Sequence, residues 1–189
     1  MKIIHIIPNS NKAVIDSFVK FINENFDANE HSFIIVSGGR PVGSHILDYS
    51  NVVELPNIEK EDIIRAIRNN DKVILHYLKL TTYQMSLMLL KSKTFEKLVW
   101  VSWGADLYQW KKGYEGHILN RVKISIKNAI AYMFRLKLKY FVGIFPPDID
   151  YFKKEFKSRA ITFYASYVGG LYNPLYKKEL NLVTLAEKK

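Results

Sequence analysis

Read from the amino terminus, the chain alternates short apolar runs with longer stretches in which apolar residues recur every three or four positions. The runs are KIIHII at 2–7, SFIIVS at 32–37, NVVEL at 51–55, KVILHY at 72–77, LVWVSW at 98–103, KYFVGIF at 139–145 and AITFYAS at 160–166. Most are continuously apolar and do not alternate, which is the pattern of parallel strands covered on both faces. Between the first two, residues 11–26 put Val14, Ile15, Phe18, Val19 and Ile22 on one helical face, with Ser10 as the expected N-cap. Residues 58–69 repeat the pattern with Ile58, Ile63, Ile64 and Ile67, and 81–91 and 116–137 predict two further helices. PPDIDYFKKEF at 146–156 opens on prolines suited to a helix start and closes on lysines suited to its end.

This β-then-α alternation predicts an α/β fold, a Rossmann-like, doubly wound and mainly parallel sheet. One domain is expected over 1–175, with 176–189 as a polar tail or the start of an interdomain linker. Such sheets bind ligands outside the carboxyl ends of their strands, near the point where strand order reverses. The residues expected on that rim are Asn9, Ser10 and Asn11, then Ser37, Gly38, Gly39 and Arg40, then His76 and Tyr77, then Gly104, Ala105 and Asp106.

Composition narrows the chemistry. The chain has 189 residues, 48% of them hydrophobic, and no cysteine, which excludes a disulfide framework, a thiolate metal site and a cysteine nucleophile. The opening apolar run is broken by His5 and Pro8 and is too short for a signal-peptide core. No apolar stretch approaches the roughly 18 residues that span a bilayer. A net charge of +10 implies an anionic partner: nucleic acid, a phosphorylated ligand or a membrane surface.

That charge is concentrated. Between 111 and 139 stand Lys111, Lys112, Arg121, Lys123, Lys127, Arg135, Lys137 and Lys139 against the single acid Glu115. Ile118, Val122, Ile126, Ala129, Ile130 and Met133 share one helical face, expected to pack on the sheet, with Arg121, Lys123 and Lys127 outside it. With Trp110, Tyr114, Tyr132 and Phe134 nearby, Lys111, Lys112, Arg121, Lys123, Lys127 and Arg135 suit an anionic membrane surface or a phosphate-bearing lipid. Lysines interleaved with aromatics also suit nucleic acid, but no RNP, helix-turn-helix or zinc-finger pattern accompanies them.

Three places carry candidate chemistry. Gly38-Gly39-Arg40 can offer amides and a guanidinium to an anion, although an ordinary turn is the plainer reading. His76, at a strand end, can bond a phosphate or hydroxyl or exchange a proton, or simply satisfy a neighbouring carbonyl. The histidines are scattered, and none lies at metal-ligand spacing from His76. In LVWVSWGADLYQW, Asp106 ends an apolar strand between Trp103 and Tyr108. An unpaired charge there is costly, so it must cap, hold a substrate hydroxyl or serve as a base.

The same stretch carries a resemblance. WVSWGADLYQW at 100–110 resembles the bacterial TDP-N-acetylfucosamine:lipid II N-acetylfucosaminyltransferase family, also called the 4-alpha-L-fucosyltransferase family, of enterobacterial common antigen synthesis. HII with its polar turn and phenylalanine-bearing helix at 5–21, SFIIVSG, VILHY and YFVGIFPPDIDYFKK are similar to other parts of that family, with Ile144 and Phe145 where it has threonine-arginine. The resemblance implies the acceptor-binding half of a GT-B glycosyltransferase, a peripheral protein at the cytoplasmic face of the bacterial inner membrane. Its acceptor would be a polyprenyl-diphosphate-linked glycan, and a second domain would hold the nucleotide-sugar donor. Asp106 would be the catalytic residue, with His76, Tyr77, Trp103, Gly104, Tyr108, Asn9, Ser10 and Arg40 around the substrate. No metal or other cofactor is required, because helix dipoles and basic side chains can stabilise the leaving diphosphate. The runner-up function is a non-catalytic module that binds glycan or phosphate at the membrane surface.

Overall fold

The computed structural model describes residues 1–39, 42, 44–111, 113 and 118–165. Seven strands form one sheet: β1 (Ile3–Pro8), β2 (His31–Val36), β3 (Val52–Leu55), β4 (Lys72–His76), β5 (Leu98–Val101), β6 (Tyr140–Gly143) and β7 (Ile161–Tyr164). Their order is β3-β2-β1-β4-β5-β6-β7, and every pairing is parallel. The expected α/β Rossmann-like, doubly wound sheet is therefore present. The strand order reverses between β1 and β4.

The helices are α1 (Lys12–Asn25), α2 (Ser44–Leu47), α3 (Lys60–Asn69), α4 (Thr82–Leu89), α5 (Ala105–Tyr108), α6 (Ile118–Lys137) and α7 (Pro146–Phe156). Alternate strand positions feed two cores, as a pleated sheet requires. On one face Ile7, Phe33, Ile35 and Val52 meet Ile15, Val19 and Ile22 of α1 and Ile46 of α2. On the other, Ile4, Ile6, Val73, Leu75, Leu98, Trp100 and Phe141 meet side chains of α3, α4, α6 and α7. Phe141 stacks on Phe152 at 4.0 Å between ring centres.

Two expectations change here. The α1 cap is Asn11, whose side chain accepts from the Val14 amide; Ser10 instead sits in the preceding turn. In α6 the inward residues are Ala131, Phe134, Arg135 and Leu138 at its end. Ile118, Val122, Ile126 and Met133, expected on the packed face, are 76, 52, 54 and 44% exposed. The helix carries two apolar stripes, and the sheet takes the other one. Residues 176–189 and the end of the expected domain lie outside the described residues.

Candidate functional site

The carboxyl rim is organised around Asp106, which is 5% exposed. Its Oδ2 accepts from the Leu78 amide and from the Trp100 indole, both at 2.7 Å. Its Oδ1 accepts from the Trp103 amide at 2.9 Å and, more weakly, from Ser102 Oγ at 3.4 Å. Ser102 Oγ also receives the Gly104 amide. Gly104 has φ +85°, a backbone that L side chains rarely adopt, and this turns the chain back so that α5 starts directly beneath β5.

Four donors match the roughly four lone-pair sites of an ionised carboxylate. The Asp106 carboxylate therefore joins the segment after β4 to the end of β5 and has no acceptor site left over for a substrate proton. A general base needs a lone pair within hydrogen-bond reach of the proton it removes. Among the open readings of Asp106, the geometry matches the cap, extended into a staple between two strand ends.

The staple holds Tyr77 in a left-handed conformation, φ +66°, uncommon for a residue with a bulky side chain. The Tyr77 amide donates to Val101 O at 2.9 Å, and the Leu78 amide goes to Asp106. Tyr77 also meets Trp103 edge-on at 6.2 Å. Tyr77, Leu78, Leu80 and Thr81 separate two clefts. The larger, about 770 Å³, opens at the switch point between β1 and β4 and is walled by Pro8, Lys60, Lys79, Tyr83 and Gln84 among others. The smaller, about 420 Å³, lies towards α5 and α6, against Gln109, Trp110, Lys127, Asn128 and Arg135.

His76 lines the larger cleft. It is 2% exposed, and its Nε2 lies 3.0 Å from Nδ1 of His5, whose Nε2 lies 3.0 Å from Nδ1 of His31. Three neighbouring strands thus carry a diagonal row of imidazoles beneath α1, with His5 stacked on Phe33 and flanked by Phe18. The bonds use opposite nitrogens of His5, so the three rings do not converge on a common metal position. Burial depresses all three: His76 falls to about 3 and His5 well below the usual histidine range, with its imidazole neighbours adding to the effect. His31 is lowered less, since Glu30 and Asp27 oppose its desolvation. The row was missed in the sequence because its members are 26 and 71 positions from His5. Two histidines inside apolar strands were the available signal.

The other expected residues scatter. Tyr108 is half exposed, and its hydroxyl donates to Asp148 Oδ1 at 2.6 Å, which raises the phenol to about 12. Asp148 in turn caps α7 by accepting from the Phe145 amide. The Asn9 amide bonds Val36 O, and neither Asn9 nor Ser10 lines either cleft. Arg40 and Lys112 lie outside the described residues. Of the expected membrane-facing cations, Arg121, Lys123 and Lys127 are exposed, and Lys111 pairs with Glu155 at 2.8 Å.

Arg135 is corrected outright. It is 5% exposed, wedged among Trp100, Trp110 and Phe156, and it donates to Ala131 O and Asp106 O. Burial lowers its guanidinium to about 10, with the Asp106 charge opposing the shift.

No family model and no curated protein matches the chain. Among solved structures it is similar to a wide-type short-chain dehydrogenase/reductase from Veillonella parvula in complex with NADP, and to an ethylated short-chain dehydrogenase/reductase from the same organism. Each gives a TM-score of 0.43 at 12% identity, over 75% of this chain and 68% of the other. A likeness that distant carries no argument about chemistry. The class of the chain, a parallel α/β domain with its clefts on the carboxyl rim, rests on its own strand order.

Proposed function

We propose that this chain is the acceptor-side domain of a glycosyltransferase that moves an N-acetylfucosamine-like sugar onto a polyprenyl-diphosphate-linked glycan, working while docked on an anionic membrane. The observation that carries the proposal is the outward face of α6. Ile118, Val122, Ile126, Ala129 and Met133 follow one another in steps of four and three, and all are exposed. Leu119 joins them at 72% exposure, and Arg121 and Lys123 flank the stripe. A helix with apolar residues on one face and cations beside them suits the plane of a membrane interface. No helix among the described residues is long and apolar enough to cross a bilayer, so the docking would be peripheral.

The inner side of the same helix lines the smaller cleft, so a lipid-linked ligand held at the membrane would have its headgroup near the rim. In this reading the WGADLY motif frames the site, and the Tyr77–Thr81 segment it pins forms the surface against which the acceptor lies. The donor and the proton-accepting group belong to the rest of the enzyme. The second reading, a non-catalytic glycan- or phosphate-binding module, uses the same surfaces and differs only in lacking transfer.

Vesicle flotation tests the docking. Binding should require phosphatidylglycerol, weaken as salt rises, and drop at least about tenfold when Arg121 and Lys123 are changed to Glu or when Val122 and Ile126 are changed to Asp. Equal binding to phosphatidylcholine vesicles, or a preference for RNA or DNA over vesicles, would refute it.

A further inference from the structure

Arg135 is a cation the fold buries without a salt bridge among the described residues. Its terminal nitrogens are engaged by two carbonyl oxygens, and its Nε has no hydrogen-bond partner among the described residues. The nearest carboxylate, Asp106, is taken up by the Leu78, Trp100, Trp103 and Ser102 donors and offers Arg135 only its backbone oxygen. A buried charge is ordinarily paired, because the low-dielectric interior penalises a lone ion far more than an ion pair. Three aromatic faces compensate in part by cation–π attraction.

Arg135 is also on the wall of the smaller cleft. There it is joined by Lys127, two helical turns earlier on α6, and by Thr82, the first residue of α4. A capping box between Thr81 and Gln84 satisfies the Gln84 amide of α4, leaving the Thr82 and Tyr83 amides without an intrahelical acceptor, and the helix dipole favours negative charge beside them. An exposed ammonium, a helix amino terminus and a buried guanidinium thus border one cavity of about 420 Å³, with the unpartnered Arg135 Nε sealed behind its wall. Gln109 and Asn128 supply neutral polar groups on its other walls.

We infer that this cleft is an oxyanion site that takes a diphosphate group, with Arg135 as its buried anchor and Lys127 as its outer cation. Arg135 places its charge behind the first phosphoryl group, Lys127 neutralises the second, and the Thr82 and Tyr83 amides at the start of α4 supply further donors. The ligand's charge adds to the partial compensation that Asp106 and the three aromatic faces give the guanidinium. The inference rests on the cleft and holds whether the diphosphate is free or carried on a lipid, so it does not depend on membrane docking or on the transferase reading.

The test uses the full chain in solution, without vesicles, and inorganic pyrophosphate as the probe. Proton–nitrogen NMR of the arginine Nε–H groups should show the Arg135 resonance moving in a saturable way, while arginines on the surface move little. Lys127→Ala, at an exposed position that leaves the core intact, should weaken the apparent affinity by about tenfold, the size of one charge-assisted contact. Arg135→Lys should abolish the pyrophosphate-induced shifts of the backbone amides around the cleft, and a native-like amide spectrum of the ligand-free variant establishes that it is folded. If Arg135→Lys does not fold, the Lys127→Ala titration decides alone. A farnesyl diphosphate arm, run below its micelle concentration, distinguishes the sources: tighter binding than pyrophosphate assigns the site to a lipid-borne diphosphate, and equal binding assigns it to a free one. An Arg135 resonance that stays fixed up to about 10 mM pyrophosphate, where an affinity worth only ~3 kcal/mol would already register, overturns the inference.

Discussion

Two buried polar clusters stabilise this sheet in opposite ways. On the face that carries Trp100, the Asp106 carboxylate gathers four donors and ties β4 to β5. On the face covered by α1, three imidazoles bond one another and nothing on the row needs a charge. The first cluster depends on an ionised group and the second on neutral ones, so the two should fail under different insults. Asp106 is part of the frame: its carboxylate oxygens are spent inward, and the open surface falls to the residues beside it.

Removing the carboxylate should do the most damage. Asp106→Ala strands a buried amide, a half-buried amide and a buried indole N–H at once, and should cost about 3–5 kcal/mol in denaturant unfolding. His5→Ala comes next: it opens a cavity beside Phe18 and Phe33 and breaks both imidazole bonds, for about 2–4 kcal/mol.

Acid tests the imidazole row without mutation. His5 and His76 have folded pKa values below the unfolded value of 6.5. Below that value the unfolded chain binds protons that the native chain refuses, so their stabilisation is complete above it and is lost as pH falls towards the folded values. Two such histidines should remove about 2–3 kcal/mol between neutrality and about pH 5.5, above the range where ordinary carboxylates titrate. A His5→Ala, His76→Ala double variant should lose that slope, and an unfolding free energy flat from about pH 7 to 5.5 in the parent would mean the row is not neutral and buried as described. The smallest effect belongs to Tyr108→Phe. Its bond to Asp148 is short but half exposed, so the change should cost about 1 kcal/mol or less and abolish a phenol titrating near 12.

The strands were legible because a parallel sheet buried on both faces writes itself as continuous apolar runs, and all seven appear within a few residues of their expected limits. The short helices α2 and α5 were not, since four residues carry too little periodicity to register. In α6 the apolar stripe was read correctly as a stripe and assigned to the wrong neighbour. Hydrophobicity marks which residues avoid water, but it does not say whether protein or another surface covers them. Arg135 was misread for a related reason: a cation in a basic run looks solvated until the aromatic residues packing against it are known. Asp106 posed the right question in sequence, since an acid among tryptophans must have partners. One of them, the Leu78 amide, lies 28 positions away and becomes visible only once β4 and β5 are adjacent.

In the proposed function, Asp106 frames the site and the acceptor would lie on the rim segment it pins. Stability and affinity for a prenyl-diphosphate-linked glycan, measured on the same Asp106→Asn sample, separate the two roles. The account predicts a loss of about 1–3 kcal/mol in unfolding free energy, because an amide brings N–H groups where two donors already point, while acceptor affinity stays within about threefold of the parent wherever the variant is folded. Tyr77→Ala, by contrast, should cost at least about tenfold in affinity. An Asp106→Asn variant of unchanged stability that no longer binds the acceptor, beside a Tyr77→Ala variant that binds it normally, would contradict the account.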